Sequence, residues 1–362
     1  MEFVKRADNF NAGPAALPLP VLERIQDELP NYGGTGMSVM EFSHRSAEYE
    51  AIHNDAQTRL RRLLGIPDGY QVLFLQGGAS LQFAMLPMNF LKPGEKALYV
   101  LTGSWSQKAA DEAGRYGELL IDDWAKQGGY RDIPASIAGD DPSLRYVHIT
   151  SNNTIYGTQW RALPKTTAPL VADMSSDILS RPVQVEDFAL IYAGAQKNIG
   201  PSGVTVVIVR DDFLETANSD VPTVLKYSTH AQANSLYNTP PTFAIYVMAC
   251  VLQWVEETGG LAGIVERNQK KAAAVYDVID THPNLYLGHA EKRARSEMNV
   301  TFRLPSDELT KSFLAEATEC GFVGVKGYRT VGGVRVSLYN AVPVEAALRF
   351  AEFMQDFARR NG

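Results

Sequence analysis

Apolar positions along the chain follow two alternating rhythms. Between residues 47 and 64, Ile52, Ala56, Leu60, Leu63 and Leu64 recur at spacings of three and four, which predicts an amphipathic helix. Gly65 and Pro67 stop it. Residues 71–75 then form a short apolar run that ends at Gly77-Gly78, after which Leu81, Ala84, Met85 and Met88 return to helical spacing. This predicts strand, glycine turn and helix, with Pro87 expected to kink or shorten the helix. Strand-like runs recur at 97–101, 119–121, 146–150, 170–172, 189–192 and 204–209, and a helical segment is expected over 105–116. Strands alternating with helices predict an α/β fold whose mostly parallel sheet carries helices on its faces.

The rhythm changes near Phe243. Two long helical patterns, at 245–256 and 264–279, are long enough to link two domains. Strands at 299–304 and 333–338 and helices at 307–320 and 344–360 then predict a small α+β domain. The resulting organisation is an N-terminal arm at 1–16, a large domain at 17–257 and a small C-terminal domain at 258–362. The N-terminal stretch holds Gly13, Pro14, Pro18, Pro20, Gly33, Gly34 and Gly36, and is expected to be irregular.

With 362 residues, 45% of them hydrophobic, the chain can bury a large core. A net charge of −7 and a pI near 5.5 argue against nucleic-acid and anionic-membrane surfaces, which need a basic face, and favour a small-molecule partner. The charged start, Met1 to Asp8, does not fit a signal peptide, and no apolar stretch reaches membrane-spanning length. A cytoplasmic protein is expected. Cys250 and Cys320 make no disulfide framework, no metal-ligand spacing occurs, and both cysteines are expected to be ordinary buried residues.

Candidate chemistry starts at Lys197, in a small-residue loop directly after an apolar run, with Asp173 ending another apolar run 24 positions upstream. A lone loop lysine is ordinarily a solvated residue. Paired with a strand-end carboxylate, it matches what pyridoxal phosphate demands: an amine for the aldehyde and an anion for the ring nitrogen. The turn Gln76-Gly77-Gly78-Ala79-Ser80, between strand and helix, can hold a phosphate on helix-start N–H groups, although glycine pairs at strand ends are usually plain turns. Asn238 and Thr239 precede another helix and could bind an anion, or simply form a proline-stiffened helix start. Trp105, in a glycine and serine setting, could cover a flat ring or pack as an interface tryptophan. Thr154 lies at the end of an apolar run, where its hydroxyl could orient a phenolic oxygen or serve the local turn.

Seven strings extend the picture over nearly the whole chain: NFNAGPAALP at 9–18, MEFSHRS at 40–46, LQGGASLQF at 75–83, ADMSSDILSRP at 172–182, YAGAQKNIGPSG at 192–203, YNTPPTFAIY at 237–246 and GGVRVSLYNAVP at 332–343. In that order they resemble the phosphoserine aminotransferases, a branch of the class V pyridoxal-phosphate-dependent aminotransferases. The resemblance implies a fold-type I transferase: a large domain with a mostly parallel seven-stranded sheet, plus the small domain. It implies a homodimer that moves an amino group between L-glutamate and 3-phosphohydroxypyruvate in serine biosynthesis by a ping-pong route. It leaves open the phosphorylated four-carbon substrate of pyridoxine biosynthesis.

Carried over by residue, the resemblance makes Lys197 the lysine that takes the cofactor aldehyde and moves the substrate proton, and Asp173 the partner of the ring nitrogen. Trp105 would stack on the ring and Thr154 would touch its edge. Ala79, Ser80 and Gln196 would hold the cofactor phosphate, joined by Asn238 and Thr239 from the partner chain. Arg45 and Arg335, with His44 and Arg329, would hold the substrate anions, a task that suits the planar fork of arginine. Three positions depart from some relatives: Ser80 in place of arginine, Tyr328 in place of histidine, and Ala12 in place of serine. The first two bear on the grip on substrate phosphate.

Two rivals make distinct demands. A cysteine desulfurase needs a reactive cysteine on a mobile loop, whereas Cys320 ends a helical pattern and is expected to be inert. A pyridoxal-phosphate-binding transcription regulator needs a DNA-binding module, for which the acidic charge and a first matched string at Asn9 leave no place.

Overall fold

A computed structural model describes residues 6–139 and 141–362. Its strands, in chain order, are β1 (Asp8–Asn9), β2 (Tyr70–Leu75), β3 (Lys96–Val100), β4 (Glu118–Asp122), β5 (Val147–Thr150), β6 (Leu170–Asp173), β7 (Leu190–Gly194) and β8 (Thr205–Arg210), followed by β9 (Leu287–Gly288), β10 (Asn299–Arg303), β11 (Phe322–Val323) and β12 (Val334–Ser337). Strands β2 to β8 form one seven-stranded sheet in the order β2-β8-β7-β6-β5-β3-β4. Only β8 runs against its neighbours, pairing antiparallel with both β2 and β7. No crossover helix separates β7 from β8, so the chain turns straight back, as an antiparallel connection allows.

The sheet buries both faces, which accounts for its nearly continuous apolar runs. On one face lie the helices Gly78–Phe90 and Ser104–Ala113, packed over Tyr99, Leu101, Val171, Leu190 and Tyr192. The other face packs against the helices Ala47–Leu64 and Thr242–Glu257. Helix Ala47–Leu64 closes where expected, with Gly65 in the left-handed conformation at φ 63°. Helix Gly78–Phe90 runs through Pro87 for a further three residues. The proline falls in the last turn, where the ladder is already ending, and Leu91 N–H still reaches Pro87 O at 2.8 Å.

Beyond Thr242–Glu257, the 22-residue helix Gly260–Thr281 leads to a three-stranded antiparallel sheet, β12-β10-β9, covered by the helices Asp307–Glu319 and Val344–Asn361. A separate apolar cluster fills this part, with Phe313, Phe350, Phe353 and Phe357 at its centre. Phe10 belongs to the same cluster, and β1 pairs in parallel with β11, so the N-terminal strand is fastened to the C-terminal part of the chain.

Two sequence expectations fail. The N-terminal stretch is not wholly irregular, because Leu19–Glu28 is a helix with Pro18 as its N-cap and Pro20 in its first turn. Proline there gives up an N–H that would be unpaired anyway and presets φ. Cys250 is buried as expected, but Cys320 is exposed, because it caps the helix Asp307–Glu319 on its solvent side.

Candidate active site

The strand order reverses beside β3: the chain adds β4 on one side of it, then β5, β6 and β7 in succession on the other. At such a switch point the loops leaving the carboxyl ends of the strands part and leave a crevice. A cavity of about 280 Å³ sits there. Thr150 ends β5, Asp173 ends β6, and Lys197 follows β7 by three residues. Gly78, Ala79 and Ser80 contribute the start of a helix, and Trp105 lies in the first turn of the next helix.

Helix Gly78–Phe90 has no side-chain cap, and its first backbone bond is from Leu81 N–H to Gly77 O. The N–H groups of 78–80 therefore stand at the positive end of the helix dipole, against the cavity. Gly77 holds this entry at φ 87°, where a Cβ would lie 2.5 Å from side-chain atoms of Leu81. Only glycine makes the turn without strain.

Lys197 is partly buried, and its Nζ donates to Thr154 Oγ1 at 2.8 Å. Burial lowers the amine from its ordinary 10.5 to about 8; Arg335 pushes in the same direction, while Asp173 and Asp177 oppose it. The N-terminal arm closes one side of the lysine: a Cβ on Gly13 would stand 3.3 Å from Lys197 Cγ, and Ala15 N–H donates to Gln196 O at 2.9 Å. Burial raises the Asp173 carboxyl above its usual range, against the hydroxyl and N–H of Ser175 and the charge of Lys197, which hold it down. Ser175 N–H reaches Asp173 Oδ1 at 2.9 Å. Arg335 leaves β12 toward the cavity and donates from Nη1 to Thr154 O at 3.4 Å, with its guanidinium 5.8 Å from the Tyr328 ring. Thr154 thus links the lysine on its hydroxyl to the arginine on its carbonyl. Trp105 faces Lys197 with its indole centroid 5.9 Å from Nζ.

The structure brings Ala79, Ser80, Trp105, Thr154, Asp173, Gln196, Lys197 and Arg335 around one cavity. It does not bring His44, Arg45, Arg329, Asn238 or Thr239 there. Arg45 and Arg329 are exposed; His44 is half-buried, with Nε2 unpartnered. Asn238 lines a different cavity beside Gln76, whose Nε2 donates to Thr239 O at 3.2 Å. Sequence reasoning missed Thr150, Asn152, Ser175 and Ser176, which also line the site. Their one signal was adjacency to the strand ends that carry Thr154 and Asp173.

The donor set fits pyridoxal phosphate. Thr150 Oγ1, Trp105 Nε1 and Arg335 Nε are buried without a protein partner; an amine, a carboxylate and an uncapped helix start surround the same space. Among the described residues no group of histidine, cysteine, aspartate and glutamate could hold a metal ion, and no helix is long and apolar enough to cross a membrane.

Comparison with known proteins agrees with this chemistry. The family model "Aminotransferase class-V" matches residues 8–350. The phosphoserine aminotransferase of Geobacillus kaustophilus is 62% identical over 358 residues, covering 99% of both chains. The solved phosphoserine aminotransferase from Bacillus circulans subsp. alkalophilus is 54% identical, with a TM-score of 0.95 and 99% of each chain covered. A structure with pyridoxal phosphate bound, from Trichomonas vaginalis, is 38% identical at a TM-score of 0.90, covering 97% of this chain and all of that one. The chain is thus an aminotransferase of class V that works with pyridoxal phosphate. Within that class it belongs to the phosphoserine aminotransferase family.

Proposed function

We propose that the chain transfers the amino group of L-glutamate to 3-phosphohydroxypyruvate, giving 2-oxoglutarate and O-phospho-L-serine, in two half-reactions that alternate at one site. The observation that carries this reading is the Lys197–Thr154–Arg335 chain, which sets a readily neutralised amine beside a fixed cation. Relatives more than half identical to this chain are phosphoserine aminotransferases by name, which supports a phosphorylated substrate.

Bound in the cavity, pyridoxal phosphate supplies an aldehyde for the amino group and an electron-withdrawing ring. Lys197, whose amine burial lowers to about 8, would take the proton from the substrate α-carbon and deliver it to the cofactor's C4′. Asp173, whose carboxyl burial raises while Ser175 and the Lys197 charge hold it down, would face the ring nitrogen and favour its protonated form. Trp105 and Thr154, which line the cavity, would cover one face of the ring and meet its edge. The N–H groups of the 78–80 turn, the Ser80 hydroxyl and Gln196 hold the phosphate. Arg335 grips a carboxylate that both substrates share, and Arg45, His44 and Arg329 are assigned to the second anion. Since 44, 45, 238, 239 and 329 lie away from this cavity, a second copy of the chain completes the site, with Asn238 and Thr239 added to the phosphate grip. The chemistry belongs to serine biosynthesis.

Protein supplied with pyridoxal phosphate, glutamate and 3-phosphohydroxypyruvate is expected to release equal amounts of 2-oxoglutarate and phosphoserine. Turnover with pyruvate or oxaloacetate but none with 3-phosphohydroxypyruvate would reject the substrate assignment.

A further inference from the structure

Lys271 lies in the helix Gly260–Thr281, wholly buried, and no step above uses it. Its Nζ donates to two successive carbonyls, Leu338 O at 2.9 Å and Tyr339 O at 2.6 Å. Burial pushes the amine far below its ordinary value, with Arg267 adding to the effect. The two carbonyls pair the buried amine's N–H groups, which meets the requirement that buried polar groups be paired.

The clamped segment is where two halves of the site meet. It continues β12, so Arg335 stands three residues before Leu338. Asn340, which follows, donates its N–H to Asn198 Oδ1 at 3.0 Å, and Asn198 is the neighbour of Lys197. Asn340 also donates from Nδ2 to Leu179 O at 2.9 Å and accepts from Asn268 at 2.9 Å, while Asn198 Nδ2 reaches back to Ser176 O at 3.3 Å. Tyr339 donates its hydroxyl to Ala12 O at 2.9 Å, next to the glycine that packs on the Lys197 stem. One short segment thus carries the cation, braces the loop of the reacting amine and holds the arm that covers it.

We infer that Lys271, acting through Leu338–Asn340 and Asn198, is a positioning residue that sets the spacing between Arg335 and Lys197. The inference rests on the proposed roles of those two residues. Reaction geometry is sensitive at this scale: a displacement of about 1 Å can cost about a hundredfold in rate. Lys271→Met keeps the stem and deletes the donors; Asn198→Ala cuts the link nearest the lysine.

The test compares both variants with the parent protein in two readouts. The first is single-turnover amino transfer from whichever amino donor the parent accepts, so that failure of the phosphoserine assignment stays separate from failure of this one. The expected loss is about 10- to 100-fold in the rate at saturating donor. The second is the pH midpoint for amine-directed labelling of Lys197 in the cofactor-free protein. A loosened loop hydrates the amine, so the midpoint should rise from about 8 toward 10.5, with Asp173, Asp177, Arg335 and Thr154 still facing it. A folded Lys271→Met protein with lower thermal stability but parental rate and midpoint would overturn the inference, leaving Lys271 a purely structural residue. If Lys271→Met does not fold, Asn198→Ala decides: parental values in both readouts refute it, and a slowed rate with a raised midpoint supports it.

Discussion

The carboxylate of Asp173 and the amine of Lys197 are coupled, and replacing the acid should affect the amine in a direction opposite to its effect on turnover. In the parent chain burial brings Lys197 to about 8, and Asp173 is the largest influence holding it up. At pH 7 an amine titrating near 8 is neutral in about one molecule in ten, against about one in 3,000 for an ordinary lysine near 10.4 to 10.5, a gain of about 300-fold. Asp173→Asn removes the charge that favours the ammonium form. The midpoint of Lys197 should therefore fall below 8, and the neutral fraction at pH 7 should rise. Labelling of the cofactor-free protein with an acylating reagent across a pH series, read by mass spectrometry on the Lys197 peptide, measures this directly. Amino transfer by the same variant should fall by orders of magnitude if Asp173 has the role proposed for it at the ring nitrogen. A parental midpoint near 10.5, or an upward shift in Asp173→Asn, would refute the reasoning.

Lys197→Ala should abolish turnover and the covalent attachment that borohydride fixes, while leaving the circular dichroism spectrum of the fold unchanged. Arg335→Ala should lower kcat/KM for both half-reactions by about 10- to 150-fold, the loss expected for about 1.5–3 kcal/mol of charge-assisted hydrogen bonding; a glutamate half-reaction left at the parental value would show that the arginine does not bind the shared carboxylate. Gly77→Ala forces a side chain into the left-handed region and against Leu81. It should cost at least about 1–2 kcal/mol in chemical denaturation and weaken cofactor binding, since the same turn opens the phosphate-facing helix.

Much of this site was legible in the sequence because its main residues sit at the ends of buried strands. Asp173 directly ends an apolar run and Lys197 sits in the short loop just after one, and a polar residue there must either face a cavity or lie unpaired in the core. The glycine turn before Ala79 and Ser80 was visible for a related reason: strand, glycines and helix leave few places for a chain to go. The seven strands were legible from apolar runs alone, although the reversed direction of β8 showed only in the absence of a helix between it and β7. The helix Leu19–Glu28 was obscured by Pro18 and Pro20, which read as breakers but lie where a helix start tolerates them. Ser175, Ser176 and Asn152 look like ordinary turn residues, and only tertiary placement turns them toward the cavity. Lys271 and Asn340 were invisible for a deeper reason: their partners come from distant parts of the chain, and a charged residue in an amphipathic helix pattern is read as facing solvent. His44, Arg45, Asn238 and Thr239 carried a family signal that a single chain does not bring into one cavity.

The proposed reaction requires a site that accepts the amino group of a phosphorylated donor. The direct measurement is a half-reaction titration, in which the absorption of the cofactor-loaded protein is followed as single amino donors are added without an acceptor. Phosphoserine and glutamate should each convert the bound cofactor stoichiometrically at low concentration, whereas serine, alanine, aspartate and cysteine should need far higher concentrations or leave the spectrum unchanged. Conversion by serine or alanine at concentrations where phosphoserine has no effect would contradict it.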